Sequence, residues 1–207
     1  MTVKVCGPRT PAEVTCALEA GADLVGFVHH PPSPRHLDWE ALAEVLRATG
    51  AASRAVLVTV DPAPEELAAR CLELGVAAVQ LCGREDPAAF AAFPARILRR
   101  LAVAPGAAEE AGAWGAAAEA FVLDHPSGAG GTGLSVDLDE ARALCRRLPC
   151  LIAGGLTPES VGAVLRATGA RGADASSGLE AAPGVKDPSR VQAFVAAARA
   201  ALAEVEA

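Results

Sequence analysis

No tyrosine occurs in the chain, and aromatic residues make up only 3% of it, as two tryptophans and five phenylalanines. Single-stranded nucleic acid is gripped largely by bases stacking on aromatic side chains, so this scarcity argues against such a partner. Basic charge is short too: 18 Lys and Arg against 25 Asp and Glu give a formal net charge of −7. Nucleic-acid backbones and anionic membranes draw basic patches, which this balance does not supply. No run of 18 or more apolar residues is present, so no transmembrane helix is expected. The N-terminus, Met1-Thr2-Val3-Lys4-Val5-Cys6, lacks the charged and apolar zones of a signal peptide and starts directly as a strand, which points to a cytoplasmic protein. The six cysteines (Cys6, Cys16, Cys71, Cys82, Cys145 and Cys150) include no CxxC pair. His29, His30, His36 and His125 show no ligand spacing, so no metal site is expected.

What is present is a rhythm. At 207 residues the chain fits one domain, and 52% hydrophobic residues, many of them alanine, suffice for a core without disulfides. Short β-rich runs alternate with helical stretches from end to end. Strands are expected at Val3–Cys6, Leu24–His29, Ala55–Val60, Ala77–Leu81, Ile97–Val103, Ala120–Asp124, Cys150–Ala153 and Gly172–Ser176. Helices are expected to start near Pro11, Trp39, Pro64, Pro87, Ala107, Asp137, Pro158 and Pro188. Thr10-Pro11, Asp86-Pro87, Thr157-Pro158 and Asp187-Pro188 each set a capping side chain before a proline, and Thr10 with Glu13 forms a capping box. Strict alternation implies a parallel sheet, and eight units favour closure into a single small (β/α)8 TIM barrel spanning residues 1–207.

In such a barrel, chemistry lies where strands end. Strand parity puts Lys4 and Cys6 inside and Val3 and Val5 outside. Cys6, at the mouth, is either a packed thiol or a nucleophile or base whose pKa falls near helix N-termini. Asp124 ends an apolar run, where partial burial would raise its pKa and suit a general acid; an Asx turn is the alternative. Gly154-Gly155 and Ser176-Ser177-Gly178 follow the seventh and eighth strands, the usual phosphate-binding place in this fold. Asp174 shares the parity of Ser176, points inward, and pairs with Lys4 on the neighbouring first strand. Arg35, after strand two, has a fork that could clamp a carboxylate. Cys82 ends strand four with Gln80 on its face, lining the mouth or merely packing. Gly128–Gly133 matches GxGxxG but follows a loop too late in the chain to start a dinucleotide-binding sheet, so Gly130-Gly131-Thr132-Gly133 is expected to be a lid over the mouth.

Taken in order, Val3-Lys4-Val5-Cys6-Gly7, Gly21–Phe27, Ser33-Pro34-Arg35, Val79-Gln80-Leu81, Leu123-Asp124, Gly130–Gly133, Ala153–Leu156, Ser176–Glu180, Pro183-Gly184 and Lys186-Asp187 resemble the phosphoribosylanthranilate isomerase family over nearly the whole chain. The resemblance implies a cofactor-free Amadori rearrangement in tryptophan biosynthesis on a small phosphorylated substrate, by a monomer or homodimer. It assigns Asp124 as general acid at the furanose ring oxygen and Cys6 as general base at ribose C2. Arg35 would hold the anthranilate carboxylate, and Gly154, Gly155, Ser176, Ser177 and Gly178 the phosphate. Cys82 stands where the family usually has His, His36 where Tyr is frequent, and Val136 where Phe is frequent. The related histidine-pathway isomerase uses an Asp base and two phosphate sites, which Cys6 and a single late phosphate site disfavour. Indoleglycerol phosphate synthase needs a Lys acid, and Lys4 lies below the mouth. A non-catalytic phosphate-binding barrel would not need Cys6 and Asp124 to face one cavity. With no tyrosine, a bound aromatic ring would rest on aliphatic side chains and Arg35, with at most help from Phe or Trp.

Overall fold

A computed structural model describes residues 1–126 and 136–206. The expected lid, Gly130-Gly131-Thr132-Gly133, lies outside the described residues.

Eight parallel strands close into a barrel in sequence order: β1 Thr2–Cys6, β2 Leu24–His29, β3 Ala55–Thr59, β4 Ala78–Leu81, β5 Arg96–Ala102, β6 Ala120–Asp124, β7 Cys150–Ile152 and β8 Gly172–Ala175. Parallel neighbours need crossovers, supplied by α1 Pro11–Glu19, α2 Trp39–Thr49, α3 Pro64–Leu74, α4 Ala107–Trp114, α5 Leu138–Cys145 and α6 Val161–Thr168, with α7 Pro188–Glu206 closing the ring. A two-stranded hairpin, β9 Glu180–Ala182 with β10 Val185–Lys186, sits between β8 and α7.

Alternation along each strand divides the core in two. Val3, Val5, Val25, Phe27, Val79, Leu81, Leu101 and Leu123 pack outward against the helices. Cys6, Val56, Val58, Ala78, Leu98 and Val122 fill the barrel interior. Lys4 is also inside and fully buried, in register with Asp174 across the β1–β8 seam that closes the barrel. Its ammonium donates to Asp174 Oδ2 at 2.9 Å, so the pairing expected from parity is present.

Most helix starts follow their local chemistry. Thr10 Oγ1 accepts from the Glu13 N–H, and Glu13 Oε2 accepts from the Thr10 N–H, completing the capping box. Asp187 Oδ1 accepts from the Ser189 and Arg190 N–H groups ahead of α7. Two expectations are corrected. The stretch after Asp86-Pro87 is one 3-10 turn, Pro87–Phe90, and not a helix. Segment 82–95 must leave β4 and enter β5, and Pro94 biases the residue before it away from helix; Phe90 packs on Phe93 and Trp114 to cover the barrel there. At Thr157-Pro158, α6 begins only at Val161. Thr157 donates its backbone N–H to Ser160 Oγ and caps nothing with its own side chain.

Among the described residues, no helix is long and apolar enough to cross a membrane.

Candidate active site

The strand ends open on a cavity of about 670 Å³. Cys6 from β1 and Asp124 from β6 both line it, as do Arg35, Gly154, Gly155, Ser176, Ser177, Gly178, Asp174 and Cys82. Every expected site residue in the described part of the chain therefore faces one space. Val28, Val58 and Val60 form much of its apolar wall. Among the described lining residues none is Phe or Trp, so the aromatic help allowed for by the sequence is not supplied by them.

Cys6 ends β1 beside two glycines, of which Gly26 makes room for it. A Cβ on Gly26 would lie 2.9 Å from both Cys6 Sγ and Lys4 Nζ, so only a bare backbone lets the thiol and the ammonium sit together in the barrel. Gly7 has φ of +83°, and a Cβ there would approach Arg35 Cδ at 2.6 Å and Ser176 Oγ at 3.2 Å. The chain thus leaves β1 through a conformation that glycine adopts freely, under the Arg35 side chain. Burial pushes the Cys6 thiol above its ordinary range; Lys4 pulls it back, Asp174 adds to the rise, and Lys186 and Arg35 oppose it. The expected depression near helix N-termini is corrected: in a buried site, loss of hydration outweighs the three cations. Burial also pushes the Cys82 thiol up, to about 12, although Gln80 Nε2 donates to Cys82 Sγ at 3.4 Å.

Asp124 is held on both oxygens. Oδ1 accepts from the His125 N–H at 2.8 Å and Oδ2 from Arg100 Nε at 3.3 Å. Arg100 Nη2 also donates to the His125 carbonyl at 2.7 Å, bracing the end of β6. The sequence reading passed over Arg100. Its signal was parity: in Arg99-Arg100 on β5, one arginine must turn into the barrel. Arg99 turns outward to Glu85 and Glu110, and Arg100 lines the cavity.

The rim between β6 and β1 is built by glycines at the last two strand ends. Gly154 and Gly155 both have positive φ. A Cβ on Gly178 would lie 2.0 Å from the Leu156 carbonyl, so the loops after β7 and β8 touch backbone to backbone. Two further charged residues stand beside this rim, Glu180 and Lys186, both within the family pattern. Glu180 accepts from Arg35 and from Lys186, and Lys186 Nζ also donates to the Ser176 carbonyl at 3.0 Å. Lys186 and Arg35 are both largely buried. Asp174 Oδ2 accepts from Lys4 Nζ, while its Oδ1 has no hydrogen-bond partner among the described residues. Burial pushes its carboxyl up, and the Lys4 charge only partly restrains the rise. Among the described residues no cluster is arranged to hold a metal ion.

A family model for N-(5'-phosphoribosyl)anthranilate (PRA) isomerase matches residues 3–197. A curated N-(5'-phosphoribosyl)anthranilate isomerase from Rhodopseudomonas palustris (strain BisA53) is 40% identical over 212 residues, covering 97% of this chain and 96% of that protein. Phosphoribosyl anthranilate isomerase from Thermus thermophilus has a similar structure, with a TM-score of 0.85 and 30% identity over 97% of this chain and 99% of that one. A further similar structure is a phosphoribosyl anthranilate isomerase in complex with reduced 1-(o-carboxyphenylamino)-1-deoxyribulose 5-phosphate, with a TM-score of 0.83, 25% identity, and coverage of 97% and 99%.

Proposed function

Because the chain belongs to the N-(5'-phosphoribosyl)anthranilate isomerase family, we infer that it converts N-(5-phosphoribosyl)anthranilate to 1-(2-carboxyphenylamino)-1-deoxyribulose 5-phosphate in tryptophan biosynthesis. The observation that carries this reading is that Cys6 and Asp124, on β1 and β6 with β7 and β8 between them, line one cavity with Arg35 and the glycine-rich rim after β7 and β8. The chain acts as a single catalytic domain, cytoplasmic, and as a monomer or homodimer.

The reaction divides between Cys6 and Asp124. Asp124 gives its proton to the furanose ring oxygen. The C1–O bond breaks as the nitrogen lone pair forms the Schiff base, and a carboxylate is left beside Arg100. Cys6, as thiolate, takes the proton from C2. The C–H electrons become the C1=C2 bond and neutralise the nitrogen, giving an enolamine. Loss of the C2 hydroxyl proton and addition of a proton at C1 yield the ketone, so no atom is gained or lost overall. Phosphate at Gly154, Gly155, Ser176, Ser177 and Gly178 and carboxylate at Arg35 hold the two ends of the substrate, so that the ribose carbons lie between acid and base. Asp174 faces the same space and contacts the substrate. Cys82 lines the same cavity at the end of β4, where its raised thiol stays neutral.

The direct test generates phosphoribosylanthranilate in situ and follows loss of its anthranilate fluorescence. Turnover by the purified protein is expected; binding of the product without turnover would mark a non-catalytic barrel instead.

The direction of the Cys6 shift has its own readout. A thiol held above its ordinary range is mostly protonated at pH 7 in the free enzyme. Its alkylation by iodoacetamide, read on the Cys6 peptide by mass spectrometry, should be slow at pH 7 and still climbing beyond pH 9. A plateau reached below pH 8 would show that the cations outweigh burial.

A further inference from the structure

One carboxylate at the cavity rim belongs to neither the acid–base pair nor the phosphate loops. Glu180 opens β9, and its side chain is only 5% exposed. Its Oε1 accepts from Arg35 Nε at 2.7 Å and its Oε2 from Arg35 Nη2 at 2.9 Å. The same Oε1 accepts from Lys186 Nζ at 2.8 Å. A single anion therefore holds two buried cations that would otherwise repel each other. Both outweigh the effect of its burial and keep its carboxyl below the usual range.

The way Arg35 is held decides what it can still do. A guanidinium carries five N–H groups in one plane. Glu180 takes the side edge, which is Nε–H and one Nη2–H. The end edge, an Nη1–H parallel to the second Nη2–H, is the other bidentate fork of the same plane. An arginine gripped on its side edge is fixed in rotation and presents its end edge to a second carboxylate. The surroundings support the grip. The Arg35 N–H donates to Ser33 Oγ, the side chain crosses Gly7, and Gly184 of the β9–β10 hairpin sits where a Cβ would meet the Pro34 carbonyl at 2.4 Å.

We propose that Glu180 is a positioning residue for substrate selection, aiming the end edge of Arg35 at the carboxylate of the substrate. This rests on Arg35 being the carboxylate anchor of the function inferred above. The effect should be selective. Losing the grip should weaken recognition of the carboxylate and leave recognition of the sugar phosphate nearly intact.

The experiment compares two ligands, the reduced product 1-(o-carboxyphenylamino)-1-deoxyribitol 5-phosphate and its phenylamino analogue without the carboxyl group. Dissociation constants are measured by titration calorimetry for wild type, Glu180→Gln, Arg35→Met, and Glu180→Gln combined with Lys186→Met. The double variant removes one anion and one cation together, so it keeps the buried charge balance if the single variant folds poorly. Wild type is expected to favour the carboxylate ligand by at least tenfold. Arg35→Met, Glu180→Gln and the double variant should each reduce that ratio to within about threefold of unity, with affinity for the carboxyl-free ligand changed by less than about threefold in the two single variants.

An unchanged ratio in the folded Glu180 variants, alongside a lost ratio in Arg35→Met, would overturn the proposal and leave the function standing. Equal weakening of both ligands by Glu180→Gln would assign Glu180 to the fold alone and overturn the proposal as well. Failure of wild type to bind either ligand would overturn the inferred function.

Discussion

Cys6→Ala is expected to lower kcat by roughly 10²–10⁴-fold, the range that a positioned acid or base supplies, while the reduced product binds within a few-fold of wild type. The thiol touches the transferred proton and contributes little area to the binding of either anionic end. Asp124→Asn should fall in the same range for a different reason. It keeps the shape of the carboxylate but has no proton to give to the ring oxygen. A substrate deuterated at C2 separates the two. In Cys6→Ala, removal of the C2 proton limits the rate and a primary isotope effect should appear. In Asp124→Asn, ring opening limits and the effect should vanish. Full activity in either variant, or isotope effects in the opposite order, would refute the assignment of base and acid to these two residues.

Lys4→Met is expected to destabilise the fold by about 3–5 kcal/mol, because it leaves the Asp174 carboxylate in the barrel without its cation. Lys4 is fully buried and Asp174 nearly so. Burial pulls the Lys4 ammonium down, but the charge and hydrogen bond of Asp174 work against this and the proton is held tightly. Lys4 therefore keeps its charge at neutral pH. Lys4→Met/Asp174→Leu removes both charges, and urea unfolding should then recover most of the loss, since replacing both members by apolar groups avoids the lone buried charge. A double variant as unstable as Lys4→Met would mean that packing, not the unpaired carboxylate, sets the cost. Lys4 also pulls the Cys6 pKa down, so activity in the double variant should shift toward higher pH even where the fold is restored.

Local rules carried much of this in advance. Period-two alternation put Lys4 and Cys6 inside β1 and Asp174 inside β8, and adjacency of the first and last strands then paired them. Glycine and serine at the last two strand ends marked the rim. What local rules missed was contact between distant segments. Nothing near Asp86-Pro87 in the chain says that Phe90 and Phe93 will cover the barrel through a single turn. Parity turns one of Arg99 and Arg100 into the barrel, but only the paired β5 and β6 set Arg100 on Asp124. Glu180 is a carboxylate in a loop until the fold lays the β2 loop and β10 against it. The direction of the Cys6 shift failed for the same reason: cations were foreseeable from the sequence, whereas the extent of burial depends on all eight strands.

The seam between β1 and β8 also has a consequence for the order of events during synthesis. Lys4 and Asp174 are 170 residues apart, and Arg35 and Glu180 are 145 apart. At typical elongation speeds of 5–20 residues per second, Lys4 waits about 10–30 s on the ribosome before its partner emerges. Until then a nascent half-barrel cannot bury that ammonium without a counter-charge. The first strand is therefore expected to stay hydrated and undocked until the last one arrives. The thiol two residues later acquires its surroundings in the same step, so the reactive centre is assembled by the end of translation and by no earlier fragment.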